Sequence, residues 1–442
     1  MSLEEALPLA MFPVLLFFLL SGIPVAYVLS GTALLFAGIG FYFDIFYLSD
    51  LGFIPARIYG TISNLTLIAV PLFIFMGMML ERTKIAEDLL TSMGYVLRRV
   101  KGSLAIGVVI VGALLAASTG IVGATVVTIG VLSLGTMLKN GYQKELSCGV
   151  IAASGTLGQI VPPSIVLVIL GDMMNVDVGD LFAGAIIPGL TLVSLYLVYV
   201  WGRIALTPNL APEPDLNEDS ANLRWHHIIK AMIPPALLVS VVLGTILSGM
   251  ASPTEAAACG AFGAILIALA KRKLSIKVIR DVSQKTAETT AMVFFILVGA
   301  QFFGVVFRGL MGDEIISDIM LNLDVSKNLI LVCLMLMLFV LGFFLDFLEI
   351  CFIIVPIIMP IMTPLGFDPL WLAIVIAVNL QTSFLTPPFG FSLFYLKGVA
   401  PKEVSTGDIY RGVLPFVCIQ ITMIFILWAF PEMVLWLPKK IF

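Results

Sequence analysis

Residues 147–169 form an apolar run that no straight helix can fill, because Ser154-Gly155-Thr156-Leu157-Gly158-Gln159-Ile160-Val161-Pro162-Pro163-Ser164 lies inside it. Proline brings no N–H and its ring clashes with the preceding turn, so a helix breaks there. In lipid, a broken helix leaves backbone groups that need partners. The break survives only where protein surrounds it or a wet cavity adjoins it. The anomaly recurs within 371–396, where the chain reads Asn379-Leu380-Gln381-Thr382-Ser383-Phe384-Leu385-Thr386-Pro387-Pro388. Paired interruptions in two halves of one chain point to a transporter's binding site.

Composition confirms that lipid is the solvent. Of 442 residues, 60% are hydrophobic and 12% charged, with a mean hydropathy of +1.10. A soluble protein carries about 25% charged residues. The apolar runs are long and continuous, without the alternation of a β-barrel, which predicts an all-α polytopic membrane protein. The charges sit mostly in loops, and a net charge of −4 gives no reason to expect a nucleic-acid partner. Cys148, Cys259, Cys333, Cys351 and Cys418 are scattered without metal spacing, so no transition-metal site is expected. The start, Met1-Ser2-Leu3-Glu4-Glu5, lacks a basic region, so the first apolar run reads as a retained span.

In chain order, 7–42 is apolar around Gly22-Ile23-Pro24 and reads as two short passes, 7–21 and 24–42, or as one long tilted helix. A span follows at 62–80, then a charged amphipathic stretch at 81–101. Residues 104–138 are too long for one crossing of about 20 residues and too short for two comfortable ones. Their middle, Ala117–Thr125, is small and hydroxylic, which predicts a re-entrant hairpin. After the broken segment come an acidic loop (Asp172, Asp177, Asp180) and a span at 181–202. Residues 204–230 read as a polar cytoplasmic linker ending near His226-His227, a tandem pair that cannot chelate a metal alone. The plan then repeats. Passes at 232–250 and 255–270 flank Ser252-Pro253-Thr254-Glu255, followed by a basic loop at 271–285 and a span at 288–307. A second hairpin is expected at 330–361 around Gly342–Glu349, then the broken segment and a last span at 413–436.

Matched residues support an internal repeat. Gly141 and Pro162-Pro163 recur 225 residues later as Gly366 and Pro387-Pro388. Phe73–Gly77 matches Phe295–Gly299 at an offset of 222, and Pro24 and Gly31 match Pro253 and Gly260 at 229. The expected repeats are 1–203 and 231–442. Excluding the hairpin, each has five crossings, and an odd number inverts the second half. With the N-terminus outside, 19 of the 24 Lys and Arg residues fall on inner segments, as short cytoplasmic loops require.

The chemistry follows from the breaks. Broken helices present carbonyls at one end and N–H groups at the other. Carbonyls and hydroxyls suit Na⁺, and helix N-termini suit a carboxylate. The hydroxyls available are Ser118, Thr119, Thr125, Ser154, Thr156, Ser164, Thr382, Ser383 and Thr386. Asp346 and Glu349 lie three residues apart in the otherwise apolar Leu341–Ile358 and are expected on one helical face. An intramembrane carboxylate is a functional hypothesis by default. Ser154, Thr156, Asp346, Glu349, Gln381 and Thr382 are the candidate substrate-binding residues. Glu255 reads either as a further such carboxylate or as a helix cap.

At these motifs the chain resembles the large membrane subunit of the TRAP (tripartite ATP-independent periplasmic) transporters. The motifs are Ser154–Gly158 running into Pro162-Pro163-Ser164, Pro253–Ala257, and Gln381-Thr382-Ser383 running into Thr386-Pro387-Pro388. The resemblance covers essentially the whole chain. It implies an elevator-type transporter of the ion-transporter superfamily in a bacterial or archaeal inner membrane, where the count of basic residues makes the N-terminus periplasmic. It implies Na⁺-driven uptake of an organic acid delivered by a periplasmic substrate-binding protein, and a small four-helix membrane subunit as partner. Carried over, one Na⁺ site would involve Ser118, Thr119, Gly120, Gly158 and Val161. A second would involve Gly342, Ser383 and Thr386, with Asp346 beside the substrate path. Ile121 and Val122 depart from the serine-rich tip of many members. Two other readings remain: a stand-alone Na⁺/carboxylate symporter, and an intramembrane aspartyl enzyme using Asp346 with Asp172 as its second carboxylate.

Overall fold

A computed structural model describes residues 3–83, 85–97, 99–120, 122–212, 225–321 and 325–442. Every regular element among them is helical. Seven of the described helices are long and apolar enough to cross a bilayer, or eight if the pair 48–62 and 66–82, bent by 56°, counts as one span.

The chain opens with two helices, Leu3–Leu20 and Val25–Tyr42, parted at Gly22, whose φ is +81°. Three sequence expectations need correction. The basic loop at 271–285 shrinks to 271–275, because Ile276–Gly309 is one 34-residue helix. At 1.5 Å per residue it is about 51 Å long and overshoots a hydrocarbon core of about 30 Å. Lys277, Arg280 and Lys285 therefore ride on its N-terminal extension, and Ser275 caps it through the Val278 N–H at 3.2 Å. The last span is Thr406–Ala429 rather than 413–436. Pro431 forces Phe430 out of helical geometry (φ −129°, ψ 70°). A separate helix, Glu432–Ile441, then folds back onto Val178–Leu206. Asp172 belongs to the helix Ile165–Met174 rather than to a loop, whereas Asp177 caps Val178–Leu206.

The helices pack in two groups. In the first, Val25–Tyr42 packs on Ile276–Gly309, and Pro253–Ala270 packs on Ala69–Arg82. Both contacts use a close glycine. A Cβ on Gly299 would stand 2.8 Å from the Ala26 carbonyl, and one on Gly260 would stand 2.7 Å from the Met76 sulfur.

The second group contains both hairpins and both broken helices. Hairpin 1 pairs Ser103–Thr119 with an arm over 122–139 that carries a π-helical turn at Gly130–Leu134. At the expected hairpin 2, Lys327–Leu341 packs on the broken helix Pro369–Leu385 and is followed, after the turn at 342–346, by an arm over 347–362 that carries a π-helical turn at Ile350–Ile354. Lys144–Thr156 crosses Thr406–Ala429 backbone to backbone. A Cβ on Gly149 would come within 2.0 Å of the Gly412 carbonyl oxygen. Small residues at such crossings are how helices associate where lipid offers no hydrophobic drive. The two groups meet along Ser103–Thr119, which packs against Ala69–Arg82 and Ile85–Val96 on one side and Lys144–Thr156 on the other, and again where 347–354 packs on Ile276–Gly309 and Ile165–Met174 on Ala69–Arg82. The expected linker 204–230 is shorter, because helices Val178–Leu206 and Trp225–Leu247 take in both of its ends; its residues 213–224, and the side chains of His226 and His227, lie outside the described residues.

Candidate transport site

Helix Lys144–Thr156 tightens into a 3-10 turn at Leu157–Gln159, loses helical form, and resumes at Ile165–Met174. Helix Pro369–Leu385 stops at Thr386 and resumes at Phe391–Val399. The two breaks treat corresponding carbonyls alike. Ser164 Oγ donates to the Gln159 carbonyl at 3.0 Å, and Ser392 Oγ donates to the Phe384 carbonyl at 2.8 Å. Gln159 and Phe384 are 225 residues apart, the offset of the Pro-Pro pairs. Neither resumed helix has a side-chain cap on its first N–H groups. Both N-termini therefore keep donors for a ligand.

Each hairpin tip sits on one break. A Cβ on Gly158 would stand 2.9 Å from the Ala116 carbonyl oxygen of hairpin 1, and one on Gly120 (φ +61°) would stand 2.9 Å from Ile165. The tip thus touches both sides of the first break, with Val161 between them. At the second break the small residue is in the tip: a Cβ on Gly342 would fall 2.1 Å from Ser383 Oγ. The structure therefore brings Ala116 to Gly158, Gly120 to Ile165, and Gly342 to Ser383, with Thr386 one turn beyond. The side chains of Ser118 and Thr119 lie outside the described residues.

The break hydroxyls donate into their own helices. Thr156 bonds the Ala153 carbonyl at 2.8 Å, Thr382 that of Val378 at 2.8 Å, Ser383 that of Leu380 at 2.8 Å, and Thr386 that of Thr382 at 2.7 Å. The Ser383 and Thr386 oxygens keep lone pairs for a guest. Gln381 Nε2 also donates to Thr156 Oγ1 at 3.3 Å, so residues 225 apart touch across the two breaks. Gln420 Nε2 donates to Tyr196 Oη at 2.7 Å, and that hydroxyl also reaches Gln381 and Thr156. All four side chains are fully buried, each on a different helix. Tyr196 and Gln420 were not singled out by sequence reasoning. The signal was present for Gln420, a lone amide in an apolar span, since such groups bond across helices.

Several buried atoms have no partner: Ser154 Oγ, both amide atoms of Gln159, and Oε1 of Gln381 and Gln420. Buried polar groups are normally paired. With Thr32 and Thr290 the described residues include six such side chains, and three of them, Ser154, Gln159 and Gln381, lie on the broken helices, where a polar guest could pair them.

The two carboxylates are placed differently from the expectation of one helical face. Asp346 is the N-cap of the second arm of hairpin 2, its side chain accepting from the Phe347 N–H at 2.8 Å. Glu349 Oε2 accepts from the Asp346 N–H at 3.2 Å, completing a capping box. The helix opens after Asp346, so the pair brackets its first turn. Glu255 likewise forms a capping box with Ser252, which decides its role in favour of a cap. Asp172 accepts a hydrogen bond from Asn64 Nδ2.

A family model described as "Tripartite ATP-independent periplasmic transporter, DctM component" matches residues 12–433. The chain belongs to this family. It is 31% identical to the C4-dicarboxylate TRAP transporter large permease protein DctM of Vibrio cholerae, over 84% of this chain and 85% of that one. It is 29% identical to the DctM of Pseudomonas aeruginosa, over 87% and 88%. Among solved structures, the YdaH transporter of Alcanivorax borkumensis shares the fold, with a TM-score of 0.61 at 15% identity, covering 86% of this chain and 87% of that one. This TRAP large permease is a membrane transporter and not an enzyme. Its family is tripartite, so it acts with a small membrane subunit and a periplasmic binding protein.

Proposed function

We propose that this TRAP permease couples inward movement of Na⁺ to uptake of an organic acid, by an elevator movement of the hairpin-bearing group against the other helices. The observation that carries the reading is the pair of tip-on-break junctions, tied together by the bond between Thr156 and Gln381. One Na⁺ would be held at the first junction, by Gly120, Gly158 and Val161 with Ser118 and Thr119. The other would be held at the second, by Gly342, Ser383 and Thr386. Between the junctions, Ser154, Thr156 and Gln381 would meet the substrate, with the uncapped N-termini at Ile165 and Phe391 offering N–H groups to a carboxylate; Thr382, expected there from the sequence, instead lines a cavity behind hairpin 2. Asp346 and Glu349 would shape the tip of hairpin 2 beside the substrate path. The names of the DctM relatives support a carboxylate.

In this reading the two halves have opposite orientations, with a periplasmic N-terminus and 204–230 in the cytoplasm, as the distribution of Lys and Arg supports. The small subunit would be the four-helix type, and the binding protein would deliver the acid from the periplasm. Na⁺ binding to the folded state alone stabilises it, by about 2.7 kcal/mol at 100 times the dissociation constant. The purified permease should therefore have a higher Tm in NaCl than in KCl of equal ionic strength, with a shift that saturates. Identical melting in the two salts would remove the ion sites from the account.

A further inference from the structure

Behind hairpin 2, a cavity of about 350 Å³ opens between its first arm, the broken helix Pro369–Leu385 and the span Thr406–Ala429. Its rim is part of the outer surface of the bundle: Val332, Leu336, Phe425 and Trp428 are 58%, 60%, 63% and 48% exposed. In a membrane-spanning group of helices that surface meets hydrocarbon. The inner wall includes Trp371 and Val375, both buried, with Asn379 and Thr382 farther along the same helix.

Water is a poor occupant, since a buried water needs about three hydrogen-bond partners. The Asn379 amide already donates to the Met335 carbonyl at 2.8 Å, the Thr382 hydroxyl to that of Val378 at 2.8 Å, and the Trp371 indole N–H to that of Leu427 at 2.9 Å. The rest of the lining is apolar. The volume is within the range of small-molecule sites, about 300–1,000 Å³. Lipid tails are as apolar as leucine, and the open side faces them.

We propose that this cavity holds one hydrocarbon chain of a membrane phospholipid, wedged between the first arm of hairpin 2 and the broken helix that forms the second junction. The chain lies along the helix that carries Thr382 and Ser383, and Ser383 is the seat of Gly342. A bilayer lipid thereby bears on the closure of hairpin 2. The assignment rests on the membrane fold and is independent of Na⁺ coupling.

The test uses tryptophan quenching by phospholipids with dibrominated acyl chains. Trp201, Trp225, Trp428 and Trp436 are changed to Phe, leaving Trp371, which is 5% exposed. In vesicles of brominated lipid, its emission should fall by at least half of the fall seen for a protein retaining only Trp428. Filling the space with Val375→Phe should protect Trp371 and leave Trp428 quenched in the corresponding single-tryptophan protein. An unquenched Trp371 in this protein, whose cavity the change of Trp428 to Phe only widens, overturns the proposal without any need of the Val375→Phe variant. Quenching that vanishes when the small membrane subunit is added assigns the cavity to a protein helix and also overturns it.

Discussion

Gly342→Ala is expected to cut uptake by at least about tenfold while the protein still inserts and purifies. The added methyl would stand 2.1 Å from Ser383 Oγ and 2.8 Å from Ser383 Cβ. Ser383 cannot swing clear. It is fully buried in a helix, and its hydroxyl is bonded to the Leu380 carbonyl at 2.8 Å. Overpacking of this kind costs about 1–3 kcal/mol, and about 1.4 kcal/mol is a factor of ten. The strain is relieved by lifting the tip off the break, which opens the second junction. Adding Ser383→Gly to the same protein returns the space and should restore most of the uptake if backbone carbonyls do the ligation. If the Ser383 hydroxyl is itself a ligand, the double variant should fold but need more Na⁺ for half-maximal rate. Wild-type uptake by Gly342→Ala would show that the tip does not seat on Ser383.

Asp346 gives the second large effect, and its two variants separate structure from charge. Asp346→Ala removes the cap of the second arm of hairpin 2, a loss of about 0.5–2 kcal/mol, and strands the Phe347 N–H. Uptake should fall by up to about thirtyfold. Asn caps a helix nearly as well as Asp, so Asp346→Asn should retain most of the uptake if capping is the role of this carboxylate. An anionic substrate gains nothing from a neighbouring carboxylate, which favours that role. An Asn variant as inactive as the Ala variant would show that the charge acts on the ion or the substrate.

The breaks were legible because Gly and Pro announce them. Gly158, Pro162-Pro163 and Pro387-Pro388 stand in runs too apolar for loops, and the structure interrupts both helices there. Length, with the small residues at 117–125 and the repeat, marked the two helical stretches, whose observed bounds, 103–139 and 327–362, differ by a few residues from the expected 104–138 and 330–361. What was not legible depends on tertiary context. Lys277, Arg280 and Lys285 looked like a loop because basic residues collect at membrane edges, yet a helix can carry them past the lipid. Phe430-Pro431 ends a span within a stretch that stays apolar on both sides, so hydropathy alone ran through it. Asp346 and Glu349 have the spacing of a helical face and equally that of a capping box, and only the position of the helix start decides between them. Tyr196 and Gln420 meet Gln381 and Thr156 from other helices; the lone amide of Gln420 signals a bond across helices, but no local pattern names its partners.

On the proposed function, Na⁺ drives this permease through the two junctions. The direct measurement is uptake of labelled substrate into proteoliposomes holding the permease and its small subunit, with the loaded binding protein outside. An inward Na⁺ gradient should produce accumulation, and replacing Na⁺ with K⁺ at equal membrane potential should abolish it. Equal accumulation with K⁺ would contradict the account.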